Sequence, residues 1–111
     1  MKITLIRHGR TIGNVKGCFN GVTNDPLCDE GVETIKEYVE KGIYPEVGIV
    51  VSSPLKRCLQ TSNLIYPQHK PIVVDNLREI NFGDFENKTH LQLENNPDYI
   101  RWIKSNGTSD I

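Results

Sequence analysis

Three cysteines, Cys18, Cys28 and Cys58, are too scattered and odd in number for a disulfide framework, which points to a reducing compartment. None sits in a Cys-x-x-Cys pair. The residues six positions after them are Asn24, Thr34 and Leu64 rather than arginine, so the loop of a cysteine-based phosphatase is excluded. An excess of either charge is also missing. Thirteen Lys and Arg against 14 Asp and Glu leave a formal net charge of -1, which supplies no global field for nucleic acid or a membrane surface. Any anion site must therefore be local. Long apolar runs are absent and nothing approaches a membrane span. The opening MKITLIRHG holds one Lys and only four apolar or β-branched residues before its charged pair, too few for a signal peptide, so the expected location is the cytoplasm. No internal repeat or low-complexity tract occurs, and 37% apolar with 24% charged residues is ordinary for one small globular domain.

What is present alternates between strand-like and helix-like segments. Residues 3 to 6 (ITLI) read as a buried strand, after which the chain turns at once to Arg7, His8 and Gly9. Residues 9 to 29, rich in Gly, Asn, Thr and Asp, are predicted to be a functional loop. Val32, Ile35 and Val39 then recur at helical spacing, with Asp29 as cap, Glu30 and Glu33 at the positive end and Gly42 as a stop. Residues 47 to 51 (VGIVV) predict a second buried strand. Ser53 as cap and Pro54 at the first helical position open a helix with Leu55, Cys58, Leu59, Ser62 and Ile65 as its buried stripe, ended by Tyr66 and Pro67. Residues 71 to 74 (PIVV) predict a third strand, and residues 77 to 85 are turn-rich around Gly83. A last helix is predicted over 89 to 104, interrupted near Pro97, with Leu91, Leu93, Tyr99, Ile100, Trp102 and Ile103 as its apolar surface. This order predicts an α/β fold of parallel strands covered by helices. Three strands make a thin sheet, and the tail SNGTSDI ends in polar turn residues, so the chain reads as incomplete.

A strand that ends on Arg7 and His8 ends on groups that need water or an anion, because burying an unpartnered cation is costly. The carboxyl end of a strand in an α/β sheet is where crevices form. A neutral His8 imidazole can attack phosphorus and hold the group as phosphohistidine. Arg57 falls in the first turn of a helix after a buried strand, where its planar fork and the helix N-terminus together suit an anion; Lys56 beside it reads as solvated. Glu79, in LREINFGDFE, can protonate a departing alkoxide if its surroundings keep it protonated, and Leu77, Ile80 and Phe82 favour partial burial. Asp84 and Glu86 are rival carboxylates, and Arg78 equally reads as a salt-bridge partner. Asn14, Asn20 and Gly21 can donate hydrogen bonds to phosphate oxygens, with Gly21 allowing close backbone approach, whereas Asn24 and Asp25 read as turn residues. His69 and His90 have no acid-rich or Cys-rich neighbourhood, so no metal site is expected. Asn87-Lys88-Thr89 and Asn106-Gly107-Thr108 match the glycosylation triplet, which means nothing without a secretory signal. Taken singly, each of these groups reads as well as a solvated or packing residue.

Taken together they are specific. Arg7-His8-Gly9, then Thr11 and Asn14, Asp25-Pro26-Leu27 with Gly31, Ser53-Pro54-Leu55-x-Arg57-Cys58-x-Gln60-Thr61, and Leu77-Arg78-Glu79-x-x-Phe82-Gly83-Asp84-x-Glu86 resemble the histidine phosphatase superfamily, in order and over essentially the whole chain. Members include cofactor-dependent phosphoglycerate mutases, fructose bisphosphatases and α-ribazole phosphatases. The resemblance implies a three-layer α/β sandwich, a mostly parallel sheet flanked by helices, with the site at the carboxyl ends of the strands. It also implies His8 as nucleophile, Arg7 and Arg57 as phosphate clamps, Asn14 as a further ligand and Glu79 as proton donor. No metal or other cofactor is implied, because the two arginines supply the charge stabilisation that magnesium supplies elsewhere. The FGDFE run resembles the phosphatase branch, α-ribazole phosphatases in particular, more than the mutases, where the equivalent run commonly reads Glu-Arg-x-Tyr-Gly.

The resemblance implies absences as well. Members carry a second catalytic histidine at a Ser-His-Gly-type strand end, reached through a Pro-x-Gly-Glu-Ser segment, and a strand beside the first; neither His69 nor His90 follows a buried strand. Asn87 stands where Gly is often found after Glu86, a change expected to alter only a turn. Residues 1 to 111 are thus expected to form a single histidine phosphatase-like domain lacking its C-terminal part, with apolar sheet surface exposed. Such a chain is a fragment, a truncation, or a short form that completes its sheet with a partner, a homodimer being one such arrangement. The expected function is metal-independent hydrolysis of a small phosphorylated metabolite through a phosphohistidine, with that metabolite or inorganic phosphate as ligand. The alternatives are mutase-type phosphoryl transfer and a non-catalytic phosphate-binding or interaction module. Neither nucleic acid nor membrane is expected as a partner.

Overall fold

The computed structural model describes residues 1 to 105; the tail from 106 onward, including the second glycosylation triplet, lies outside the described residues. In chain order the elements are α1 (Ile12–Lys16), α2 (Asp29–Glu40), β1 (Val51–Ser52), α3 (Lys56–Ile65), β2 (Ile72–Val73), α4 (His90–Leu93) and α5 (Pro97–Lys104), with 3-10 turns at Asp75–Leu77 and Gly83–Phe85. β1 and β2 pair in parallel, Val51 opposite Ile72 and Ser52 opposite Val73. Parallel neighbours require a crossover, which α3 supplies while packing against α2 and β1. The α/β class with parallel pairing is as expected.

The strands are shorter than expected. Residues 3 to 6 form no strand, and the one predicted over 47 to 51 reduces to a pairing at Val51 and Ser52. Ile3 is 76% exposed and Leu5 93%. A groove of about 300 Å³, lined by Thr4, Leu5 and Ile6 together with Val50, Val51, Ser62 and Ile65, lies where that segment faces β1 and α3. β-branched and apolar residues favour the pleated backbone, but a strand exists only when its N–H and C=O rows find neighbours. Ile49, Val51, Ile72 and Val73 are exposed too, so the apolar sheet surface expected from the sequence is present.

Helix starts follow tertiary contacts as well as local pattern. The cap of α2 is Cys28, whose Sγ accepts the Gly31 N–H at 3.3 Å, while Asp29 and Glu30 occupy the first turn, where carboxylates meet the positive helix end. α3 begins at Lys56 rather than Pro54: Ser53 Oγ accepts the Leu55 N–H at 3.2 Å, and Asn24 Oδ1, from a distant loop, accepts the Lys56 N–H at 2.6 Å. The Asn24 turn residue therefore satisfies an orphan donor of α3. Within the long loop, Thr11 and Asn14 form a reciprocal capping box that nucleates α1. Asn96 caps α5 with Pro97 at its first position, which divides the last predicted helix in two.

The core is split. Leu27, Ile35 and Ile65 are buried in one cluster, where α2 meets α3; Phe85, Leu93, Tyr99 and Trp102 are buried in the other. Leu91, Ile100 and Ile103 stay exposed, so α4 and α5 bury a narrower stripe than their apolar residues suggested. Phe19 packs onto the aromatic cluster with ring centroids 5.4 Å from Phe82, 5.8 Å from Tyr99 and 5.7 Å from Trp102. It thereby fastens the loop that follows it. Truncating buried Phe85 to Ala should cost about 3–5 kcal/mol, read by urea unfolding through the fluorescence of Trp102, the sole tryptophan. A loss below about 1 kcal/mol would contradict a cluster that packs as a core.

Candidate active site

His8 emerges at the end of the first apolar segment, and Gly9 behind it is anchored to α3. The Gly9 N–H donates to Thr61 Oγ1 at 3.0 Å, and the Thr61 hydroxyl donates to the Arg57 carbonyl at 2.8 Å. The imidazole Nδ1 lies 2.6 Å from the Gly9 carbonyl oxygen. A carbonyl oxygen only accepts, so Nδ1 carries the proton and a neutral ring presents its lone pair at Nε2. Nε2 is 3.1 Å from Glu79 Oε1. One proton serves that contact, residing on the carboxyl when the ring is neutral and on Nε2 when Glu79 is a carboxylate.

Arg57 is 1% exposed, and its fork is turned toward the protein rather than spread across the cavity for two phosphate oxygens. Nη1 donates to the Thr23 carbonyl at 2.6 Å and to Asp25 Oδ1 at 3.1 Å. Nη2 donates to the carbonyls of Gly21 at 2.5 Å and Asn20 at 3.3 Å, and lies 3.3 Å from Glu79 Oε1. A buried guanidinium must engage its donors, and the loop from Asn20 to Asp25 offers converging acceptors. Of the fork, Nη2 is the nitrogen beside Glu79, and both residues line the cavity. Arg7, by contrast, is exposed and lines the cavity mouth.

The cavity that joins these groups is about 340 Å³ and is lined by Arg7, His8, Asn14, Asn20, Arg57 and Glu79, with Thr11, Asp25 and Cys58 among the others. Of the residues singled out in the sequence, Gly21 does not line it. Its N–H donates to Glu86, and a Cβ there would collide with the Ile80 carbonyl oxygen, so the close approach Gly permits is to the backbone after Glu79, not to an anion. Asn14 accepts the Thr11 N–H through Oδ1. Asn20 accepts the Asn87 N–H through Oδ1, while its buried Nδ2 makes no hydrogen bond of good geometry among the described residues.

Glu86, a rival to Glu79 in the sequence, takes a different place. Its carboxylate accepts the N–H groups of Gly21, Thr23 and Phe82 and the Thr23 hydroxyl. Burial would raise its pKa, but those four donors outweigh it and hold the carboxyl below its ordinary value. Asp25 behaves alike: burial raises it, while Thr11, the Gly13 N–H, Asn20 and the Arg57 charge together lower it further. The partners of Asp25, Thr61 and Glu86 were not legible in the sequence, where Asp25 read as a turn residue and Glu86 as a rival carboxylate; no local pattern announces a carboxylate that serves a guanidinium from 32 residues away. Burial chiefly pushes the Cys58 thiol up, which leaves it a protonated wall residue.

The chain is similar to known proteins over nearly its whole length. Residues 3–110 match the model of the histidine phosphatase superfamily, branch 1. The chain belongs to that superfamily. It is 31% identical over 109 residues to the adenosylcobalamin/alpha-ribazole phosphatase of Salmonella typhimurium, covering 92% of this chain and 52% of that protein. Among solved structures, the alpha-ribazole phosphatase of Shigella flexneri superposes with a TM-score of 0.80 at 29% identity, covering 90% of this chain and 52% of that one. The phosphoserine phosphatase of Entamoeba histolytica, solved with 3-phosphoglyceric acid, superposes at 0.77 with 30% identity, covering 93% and 52%. The chain spans about half the length of the relatives it matches.

Within this histidine phosphatase chain, neither remaining histidine lines the cavity around His8: His90 Nδ1 pairs with the Tyr99 hydroxyl at 2.7 Å, and His69 packs edge-on against Tyr66. Among the described residues no group of three or more His, Cys, Asp or Glu side chains is placed to hold a metal ion, and no helix is long and apolar enough to cross a membrane. Asn87 adopts φ 59°, the left-handed conformation Gly takes most readily and Asn tolerates. Because the carboxyls of Asp25 and Glu86 lie below their unfolded values of 3.8 and 4.5, the stability they contribute is present above those values. It is lost as pH falls through the lower folded values. The urea midpoint should therefore drop on acidification below pH 4.5, and Glu86→Gln should flatten that drop; an identical acid profile in the variant would contradict the assignment.

Proposed function

We propose that the chain carries the phosphoryl-accepting half of a metal-independent phosphatase acting on small phosphorylated metabolites, with His8 as nucleophile. The observation that carries this reading is the His8 geometry: Nδ1 held by the Gly9 carbonyl and Nε2 facing Glu79 Oε1 at 3.1 Å. With the shared proton on Glu79, Nε2 has its lone pair and the carboxyl is an acid. Nucleophile and acid are thus charged for the same step. Nε2 attacks phosphorus, the ester P–O bond breaks, and the departing alkoxide takes the Glu79 proton. In the return step the Glu79 carboxylate takes a proton from water as its oxygen attacks phosphorus, the N–P bond breaks, and inorganic phosphate leaves. Arg7 and the Nη2 edge of Arg57 offset the charge on the phosphoryl oxygens, with Asn14 and Asn20 as polar wall groups.

The substrate class rests on the relatives, whose names point to phosphoserine and α-ribazole phosphate esters and one of which was solved with 3-phosphoglyceric acid. No residue among those described singles out one metabolite. Incubation with phosphoramidate in the presence of EDTA should label the protein at a single, acid-labile, base-stable phosphohistidine. His8→Ala should abolish the label; a label of unchanged yield, or one mapped to His69 or His90, would refute the assignment. Arg57→Ala should weaken vanadate binding by about tenfold to a hundredfold, and unaltered affinity would argue against any role in holding the anion.

A further inference from the structure

We propose that Glu86 is a positioning residue for this site, holding the Arg57 guanidinium and Glu79 in register through the loop between them. The inference rests on the phosphate-site reading above. The loop from Asn20 to Asp25 is gripped from two sides. Its carbonyls at Asn20, Gly21 and Thr23 accept from Arg57, while its N–H groups at Gly21 and Thr23 donate to the Glu86 carboxylate at 2.9 and 2.7 Å. A carboxylate and a guanidinium thus sit at opposite ends of the Asn20–Gly21 peptide group and on alternate peptide groups of the two residues that follow. Across the Asn20–Gly21 peptide each polarises the group in the sense that strengthens the other's bond, and elsewhere the two fix the course of the same short loop.

The same carboxylate reaches the other catalytic element. It accepts the Phe82 N–H at 3.1 Å, three residues after Glu79, and the loop's Gly21 presses on the Ile80 carbonyl with no room for a Cβ. The Glu79 side chain is 42% exposed and lies within residues 78 to 82, which have no regular secondary structure. Its distance to His8 therefore depends on what fixes residues 80 to 82. Glu86 ties that segment to the Arg57 loop by hydrogen bonds, beside the direct Arg57 Nη2 contact to Glu79 Oε1 at 3.3 Å. Unlike Glu79, it lines none of the cavity, so a role in proton transfer is excluded.

Glu86→Gln tests this, because the amide keeps the shape but turns a donor toward the N–H groups it faces. In the full chain, vanadate affinity per folded molecule should fall about tenfold, while the same substitution in an Arg57→Lys background should change it less than about twofold. Equal losses in both backgrounds would mean a merely structural role and overturn the proposal. A second readout needs no anion: the side-chain ¹⁵N resonances of Arg57 should be resolved and slowly exchanging in the wild type and collapse in Glu86→Gln. Unchanged Arg57 signals would overturn the proposal even if wild type binds vanadate, whereas a wild type that binds none refutes the phosphate-site reading instead. Should Glu86→Gln fail to fold, Thr23→Val removes one donor and keeps the volume; it should shift the same Arg57 resonances by a smaller amount, and no shift is the opposing result.

Discussion

The structure depends on one buried cation. Arg57 is enclosed among backbone carbonyls and two carboxylates, and an enclosed guanidinium without those acceptors would carry a desolvation cost of several kcal/mol. Satisfying it dictates the course of the loop from Asn20 to Asp25, which in turn needs something to satisfy its N–H groups. Glu86 answers that need. The loop is therefore built as alternating charge and peptide rather than as an apolar core.

That construction also explains how two separate hydrophobic clusters hold one site. The cluster of Leu27, Ile35 and Ile65 fixes α3, and with it Arg57 and Thr61; the aromatic cluster around Phe85 and Trp102 fixes Phe19 and the segment bearing Glu86. The loop bridges them. His8 is held from the α3 side through Gly9, and Glu79 from the aromatic side through Phe82. His8 and Glu79 thus belong to different packing units, and their 3.1 Å contact reports how those units dock.

Much of this was legible along the chain. Helical spacing marked α2 and α3, Pro97 marked the break between α4 and α5, and the Arg-His-Gly and Ser-Pro-Leu-x-Arg runs located the groups that meet around the cavity. Periodicity and capping are local, so they survive without knowledge of the fold. The reading failed where a neighbour decides. Residues 3 to 6 have every preference of a strand and form none, because pairing is a property of two segments. Gly21 was legible as a point of close approach, but which group approaches was not.

The sequence by itself determined which chemistry is available: an imidazole, two guanidinium groups and several carboxylates, strung on segments whose patterns set helices and turns. Only the tertiary structure decided the assignment among like groups, sending Glu79 to His8 and Glu86 to the loop, and turning the Arg57 fork inward. The reason is physical. Side-chain type fixes what a group can donate or accept, but its partner, burial and titration come from residues tens of positions away, which only folding brings within hydrogen-bond reach.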